Sequence, residues 1–372
     1  MDLLLVLAMT AHLLAVNLAG AAPLVCLWLD RRAVCRGDAA AADLGRWLVR
    51  QSLLWLAAGI ALGLTTLGLV WLIDWQRFAE PASRIPASRY WFGVAELAVY
   101  FVCMGGYLAL WRDGAAPSRQ RIWGRRVLGL LAGTNLLYHF PPLFAIIGVL
   151  GTRPETVGQA LNFRAAMIDP EVLAHTVHHI LASFAVVGVA MMGYALSHAR
   201  DQRSVFSATE IAAGSHKSMS ADSDLKLDWR RMAIWGARVA LAPTLLQLLA
   251  GTCVLLTLPA WMRDRLLGQD LLATILFAAS MIAALALMHR LAAVAMGDTQ
   301  RREIIGAMVL LVVVVLLMVG TLQRARKPIV AWDGHVDAVG ATDRRPFQNE
   351  IKQWEITCWA IAEASTLALC QS

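Results

Sequence analysis

Charged residues are scarce in this sequence. Only 16% of the 372 residues are charged, whereas soluble domains carry about 25%. Hydrophobic residues make up 58% of the chain, and the mean hydropathy is +0.58. A chain so poor in charge is not an ordinary soluble domain, so we predict a polytopic membrane protein.

The cysteine pattern excludes two kinds of site. The six cysteines form no C-x-x-C pair and no C-x-x-C-H motif, which argues against covalently attached c-type haem and against a zinc ribbon. The net charge of +7 arises mostly from lysine and arginine in the loops between apolar runs. Because that bias is typical of membrane proteins, it predicts no nucleic-acid partner.

The sequence contains many long apolar runs. A run of roughly 18 or more apolar residues predicts a transmembrane helix. The runs lie near residues 3–29, 47–73, 91–111, 124–150, 171–197, 232–258, 271–296 and 304–322. The predicted fold is therefore all-α, with eight transmembrane helices.

We predict that these helices form two four-helix groups. Residues 1–150 hold helices 1 to 4, and residues 151–322 hold helices 5 to 8. The segment 198–231, rich in serine and alanine, is predicted to be a flexible cytoplasmic loop. Residues 323–372 form a polar C-terminal tail to which the sequence assigns no role.

The loops after helices 1, 3 and 5 carry more lysine and arginine than the alternate loops. Because cytoplasmic loops carry this excess, we predict that the N-terminus lies outside a bacterial inner membrane. With eight helices the tail would also lie outside, yet it is rich in basic residues, which argues mildly against that placement.

Histidines lie inside segments where an imidazole is costly and usually has a partner. At a rise of about 1.5 Å per residue, His12 lies roughly 14 Å, His179 about 12 Å and His139 about 16 Å from the outer ends of their helices. Glu96 lies about 8 Å into helix 3, and a carboxylate there is functional by default. This shared depth in the outer half favours a shared cofactor such as haem.

The simpler alternative for each histidine alone is a hydrogen bond to a neighbouring helix. His175 and His178 are weaker candidates because His175 lies near the interface and His178 faces about 100° away from His179. Met281 lies about 15 Å below the outer end of helix 7, close to the depth of His179. Methionine is a known sixth ligand of haem iron, although a methionine in a membrane helix usually serves packing.

The order and spacing of these residues make the chain resemble subunit I of the cytochrome bd quinol oxidases and the wider bd-like superfamily of membrane haem proteins. The resemblance covers about residues 3–197. It is carried by the stretches "LAMTAHLLAVNLAGAAPLVCLWLD", "WFGVAELAVYFVCMGGYLALW", "LLAGTNLLYHFPPLF" and "LNFRAAMIDPEVLAHTVHHILASFAVVGVAMMGYAL".

The resemblance implies roles for individual residues. His12 matches the helix 1 histidine at the oxygen-site haems, and His179 matches the helix 5 ligand of the low-spin haem b. Met281 is matched to the methionine of that haem, and Glu96 falls near the family's paired helix 3 glutamates. His139 occupies a position without a ligand in the family, and we expect it to bind a haem propionate or to be a new ligand.

The chain also departs from the family. Residues 259–270 are too short to form the quinol-binding loop that follows helix 6, and "GAMVLLVVVVLLMVGTLQ" lacks the family's haem-ligating glutamate. An expected donor is therefore a separate periplasmic c-type cytochrome or another respiratory subunit. The resemblance implies haem b, with a second haem of b or d type as a further expectation.

The sequence leaves three functions open. The first is a haem b protein that transfers electrons in a respiratory chain and reduces O₂ or another small ligand, which would make it an oxidoreductase. The second is a haem-free proton- or ion-coupled transporter whose His and Glu line the path. The third is a haem-binding membrane subunit of a larger complex, without catalysis of its own.

Overall fold

A computed structural model of the chain describes residues 2–111, 118–153, 162–213 and 219–326. The described part is a bundle of α-helices. In chain order these are α1 (Asp2–Arg36), α2 (Ala39–Ser83), α3 (Ala87–Ala109), α4 (Arg119–Leu150), α5 (Phe163–Met167), α6 (Pro170–Ala213), α7 (Met219–Thr257), α8 (Ala260–Asp264), α9 (Leu271–Ala295) and α10 (Arg301–Ala325). A single π-helical turn, Arg265–Gln269, separates α8 from α9.

Eight of these helices are long and apolar enough to cross a membrane, which confirms the predicted all-α membrane fold. The helices are longer than the apolar runs because hydrogen-bonded turns continue into the polar flanks. In particular, α6 extends to Ala213 and α7 begins at Met219, so most of the predicted loop 198–231 is helical. Its flexibility stays a prediction, and the tail beyond residue 326 lies outside the described residues.

Short polar side chains begin several helices. The carboxylate of Asp38 accepts a hydrogen bond from the backbone N–H of Ala41 and so caps α2. Gly37, at a φ of +63°, makes the tight turn between α1 and α2, a conformation that favours glycine. Asp270 caps α9 in the same way through the N–H of Ala273.

Helix α1 lies at the centre of the bundle, where it packs against α2, α4, α6 and α10. It therefore joins the two halves of the sequence, and the predicted division into two four-helix groups is not confirmed. The hydroxyl of Tyr100 on α3 donates to the carbonyl of Ala19 on α1 across 2.7 Å, and both residues are fully buried. Such bonds hold neighbouring helices together inside a membrane, where the hydrophobic effect does not drive helices to associate.

Helices α6 and α7 cross at very short range at Gly188 and Gly236. A Cβ atom built on Gly188 would lie 2.4 Å from the carbonyl oxygen of Gly236, and one built on Gly236 would lie 2.5 Å from the carbonyl oxygen of Gly188. Only residues without a Cβ permit this contact, which is typical of membrane helix interfaces.

A buried charged cluster holds α9 and α10 together at one end of the bundle. The carboxylate of Asp270 accepts hydrogen bonds from Arg265 at 3.0 Å and from Arg324 at 2.8 Å. Arg265 also donates to the carbonyl of Ala325, and its side chain is 4% exposed. The cluster therefore ties the turn before α9 to the last turn of α10.

Replacing Asp270 with asparagine should destabilise the protein by about 3 kcal/mol, the low end for breaking a buried ion pair. Burial alone would raise the pKa of Asp270, but hydrogen bonds from Ala273, Arg265 and Arg324 hold it below its ordinary value. This stabilisation is complete above a pH of about 3.9 and is lost as the pH falls through the lower pKa of the folded state.

Melting temperature against pH in detergent checks this expectation. The wild type should lose stability more steeply in acid than Asp270→Asn, so that the two curves converge at low pH. Curves that run parallel through the acid range would show that the Asp270 carboxylate is not ionically paired in the folded protein.

Candidate functional site

His12 projects from α1 toward α2, where two glycines make room for its ring. Its Nδ1 lies 2.8 Å from the carbonyl oxygen of Gly59. A carbonyl only accepts hydrogen bonds, so Nδ1 carries the proton and Nε2 is the basic nitrogen. This is the usual arrangement of a metal-binding histidine, whose second nitrogen is held by an outer partner.

One turn further along α2, Gly63 lies against the face of the same ring. A Cβ atom on Gly63 would lie 2.9 Å from Cε1 of His12. Gly59 and Gly63 are four residues apart and so share one face of α2. The G-x-x-x-G spacing of "GIALG" is a known signal for close helix packing, so the sequence marks this face of α2 as a helix contact but does not name the residue packed against it.

His179 lies on α6 and is close enough to His12 and His178 to interact with both electrostatically. Its ring is half-buried. Within the described part of the chain, neither ring nitrogen of His179 makes a hydrogen bond. Two of the predicted ligands, His12 and His179, therefore lie in the same region of the bundle, and their role as ligands stays a prediction.

Glu96 on α3 and His139 on α4 form a buried pair. The Oε2 atom of Glu96 lies 3.6 Å from Nδ1 of His139, and both side chains are 6% exposed. The rings of Phe92 and Phe140 meet the His139 ring edge-on at centroid distances of 5.1 and 5.5 Å. The backbone of Arg89, at the outer end of α3 in the predicted orientation, lies near the imidazole.

The α3–α4 contact is fixed one turn deeper by Asn135. Its Nδ2 donates to the carbonyl of Glu96 across 3.0 Å. This bond sets the register of the two helices, and it places the Glu96 carboxylate level with His139. The sequence singles out both residues, but it does not say which histidine would lie against Glu96.

Met281 lies half-buried on α9, which packs mainly against α10 and α7. Its neighbour Ser280 is buried and contacts the sulfur of Met318 on α10 at 3.4 Å. No described contact joins Met281 to His179. Its role as a sixth ligand therefore stays a prediction.

The two other histidines of the cluster on α6, His178 and His175, face elsewhere. The His178 ring packs toward Gly251 on α7, and its Nδ1 has no hydrogen-bond partner among the described residues. His175 lies near Arg326 at one end of the bundle. The choice of His179 as the ligand among these three stays a prediction.

The donors fit haem better than a bare metal ion. In the described part of the chain, no three His, Cys, Asp or Glu side chains are grouped so that they could hold a metal ion. A haem iron already has four porphyrin nitrogens and needs only one or two protein ligands. An imidazole whose Nδ1 is fixed on a carbonyl, as in His12, meets that need.

No protein-family model matches the sequence. No curated protein matches it either. Among solved structures, the chain is similar to "The structure of bd oxidase from Geobacillus thermodenitrificans", with a TM-score of 0.66 and 13% sequence identity over 100% of this chain and 96% of that chain.

The chain is thus an all-α, multi-pass membrane protein. Its fold is that of a bd oxidase, as the distant resemblance of the sequence implied. At 13% identity the likeness concerns the fold alone.

Proposed function

We propose that this protein is a membrane haem b protein of the bd-like superfamily that transfers electrons in a respiratory chain and reduces O₂ or another small ligand. The observation that carries the proposal is the pair His12 and His179. His12 and His179 lie in the same region of a bundle with the fold of a bd oxidase, and Gly59 fixes the tautomer of His12 that leaves its Nε2 as the basic nitrogen.

His179 would hold a low-spin haem b, with Met281 as the proposed sixth ligand, and His12 would hold a second haem of b or d type. When bound, haem supplies the one-electron redox chemistry that no side chain of this site provides. The protein would orient the ligands: Gly59 fixes the His12 ring, and Gly63 lets the ring lie close to α2.

Glu96 and His139 would handle protons. Both groups can carry a proton, and they face each other at 3.6 Å in a buried position. The Arg89 backbone lies near the His139 ring at the outer end of α3. Asn135 donates to the backbone carbonyl of Glu96 on the inner side of the pair. Ionisable residues inside a membrane commonly pair with one another and mark proton paths.

Replacing Glu96 with glutamine tests this role. The amide keeps the size of the side chain but cannot accept the proton, so O₂ consumption with an artificial electron donor should fall about 100-fold, within the range for a lost acid–base group. The haem absorbance should stay unchanged, and Glu96→Asp should retain part of the rate. Full activity in Glu96→Gln would remove Glu96 from the reaction, and loss of haem would make it a ligand.

The predicted membrane is a bacterial cytoplasmic membrane with the N-terminus outside. The connection from α7 to α9 is short and is occupied by α8 and one π turn. Because it leaves no room for a large quinol-binding loop, we propose a periplasmic c-type cytochrome as the electron donor. Lysine and arginine asymmetry supports this orientation.

A haem-free transporter is the second candidate, and the buried Glu96–His139 pair is the observation that favours it. Transporters of this kind often use helices broken near the membrane midplane. Here α4 runs unbroken through Pro141 and Pro142, where a break was most expected. The third candidate, a non-catalytic haem subunit, shares the ligands and differs only in reactivity.

A reduced-minus-oxidised spectrum of the purified protein tests the proposal. We expect the α and Soret bands of haem b, and we expect CO to shift part of the Soret band of the reduced form. Haem without a CO response would favour the non-catalytic subunit. If the protein showed no haem bands after expression in a haem-replete host, the haem-free transporter would be the remaining candidate function.

A further inference from the structure

A buried polar contact joins α1 to α6 directly below the two histidines. The hydroxyl of Ser183 donates to Oδ1 of Asn17 across 2.7 Å. Ser183 is fully buried and Asn17 is 5% exposed. Polar side chains are costly at this depth unless they bind each other, so the contact selects one arrangement of the two helices.

The contact also sets the relative height of the two histidines. As the first and fifth crossing helices, α1 and α6 run in the same direction. His12 precedes Asn17 by five residues, about 7.5 Å, and His179 precedes Ser183 by four residues, about 6 Å. With Asn17 and Ser183 bonded, the two histidines lie at the same level to within about 1.5 Å along the helix axes.

The same contact sets the directions of the two rings. His179 and Ser183 are four residues apart and share one face, so His179 is turned toward α1 because Ser183 contacts Asn17 there. His12 and Asn17 are five residues apart, about 140° around α1, so His12 is turned away from that contact. The bond from His12 to Gly59 on α2 agrees with this direction.

Two further contacts tie the pair to its surroundings. The Ser183 hydroxyl also lies 3.1 Å from the carbonyl oxygen of His179, so the same group touches the backbone of the proposed ligand. A Cβ atom on Gly20 would lie 3.0 Å from Leu137 of α4 and 3.5 Å from Ser183 Oγ. Three helices are therefore in contact at this level, and a shift of α6 along α1 would break the hydrogen bond.

We propose that Asn17 and Ser183 are positioning residues that hold His12 and His179 in a fixed relation as ligands. This inference rests on the proposed haem function. Replacing an outer residue that orients a metal ligand commonly lowers the metal affinity by roughly 10- to 100-fold. Asn17 and Ser183 act on the histidines through helix position and do not touch the iron.

The test compares Asn17→Ala, Ser183→Ala, the double variant and Ser183→Thr, all in the full-length holoprotein. Each single variant should lose haem to a haem-scavenging globin on the order of tenfold faster, by analogy with other outer partners. The midpoint potential of the haem band should shift as well. The double variant should resemble the single variants, and Ser183→Thr, which keeps the hydroxyl, should resemble the wild type.

Thr244→Ala is the matched control. Thr244 is buried on α7, and its hydroxyl donates to the carbonyl of Ala240 within the same helix. The Thr244→Ala variant should alter neither haem retention nor the midpoint potential of the haem. Wild-type potential and haem retention in Asn17→Ala, or an equal shift in Thr244→Ala, would overturn this inference alone. A wild-type protein without haem would overturn the proposed function first, and the positioning role with it.

Discussion

Replacing His179 with alanine is expected to remove one haem b from the purified protein and one species from its reduced-minus-oxidised spectrum. The ring of His179 is half-buried, makes no hydrogen bond to the described residues, and lies on the face of α6 that Ser183 turns toward α1. Removing an iron ligand should release the haem, while the helix itself tolerates alanine well. Haem per polypeptide and the spectrum are measured together.

His178→Ala is the control for that experiment. The residue is adjacent on the same helix, loses the same atoms and faces Gly251 on α7. It should keep the wild-type haem content. Imidazole added to the His179→Ala protein should restore part of the spectrum. Equal loss in both variants would show that α6 was damaged in general, and an unchanged His179→Ala spectrum would reject the ligand assignment.

Adding a single methyl group at the α6–α7 crossing is expected to cause the largest loss of stability. In Gly188→Ala the new Cβ would meet the Gly236 carbonyl oxygen at 2.4 Å and the Ala240 nitrogen at 2.5 Å. Both are backbone atoms, so no side chain can rotate away, and the helices must separate. We expect a loss of about 3 kcal/mol, the upper end for overpacking, measured by thermal unfolding in detergent.

Gly105→Ala provides the matched comparison. It makes the same change on a membrane helix, but no atom lies within 4 Å of the added Cβ. Alanine favours the helix over glycine, so this variant should be as stable as the wild type or slightly more stable. If Gly188→Ala were as stable as Gly105→Ala, the close crossing of α6 and α7 would be wrong.

Much of the fold could be predicted because a membrane imposes a simple rule. Every backbone polar group must be satisfied within its own segment, so a long apolar run becomes a helix. The ends were harder to predict. Hydropathy marks the lipid-facing part of α6 and not the turns that follow it, and the same holds where α7 begins at Met219.

The residues of the candidate site could be identified, but their pairing could not. Glu96 and His139 stood out because each is costly in a membrane, yet their contact depends on the register of α3 on α4, which the Asn135 bond sets. The contact of His12 with Gly59 likewise depends on how α1 and α2 face each other. Single-helix periodicity carries no information on such relations.

The Asn17–Ser183 contact shows the same limit. Neither residue is ionisable, and each alone is an ordinary polar residue of a membrane helix. Only the packing of α1 on α6 reveals that they meet at 2.7 Å and that the two histidines lie one turn above them. The central position of α1, which packs against α6 as well as α2 and α4, makes this contact possible.

The central claim is that this bundle binds haem b through His12 and His179. A pyridine haemochrome assay on the purified full-length protein, with haem expressed per polypeptide, tests it most directly. We predict at least one haem b per chain in the wild type and a loss of all bound haem in the His12→Ala, His179→Ala double variant. A wild type without haem, or a double variant with undiminished haem, would contradict it.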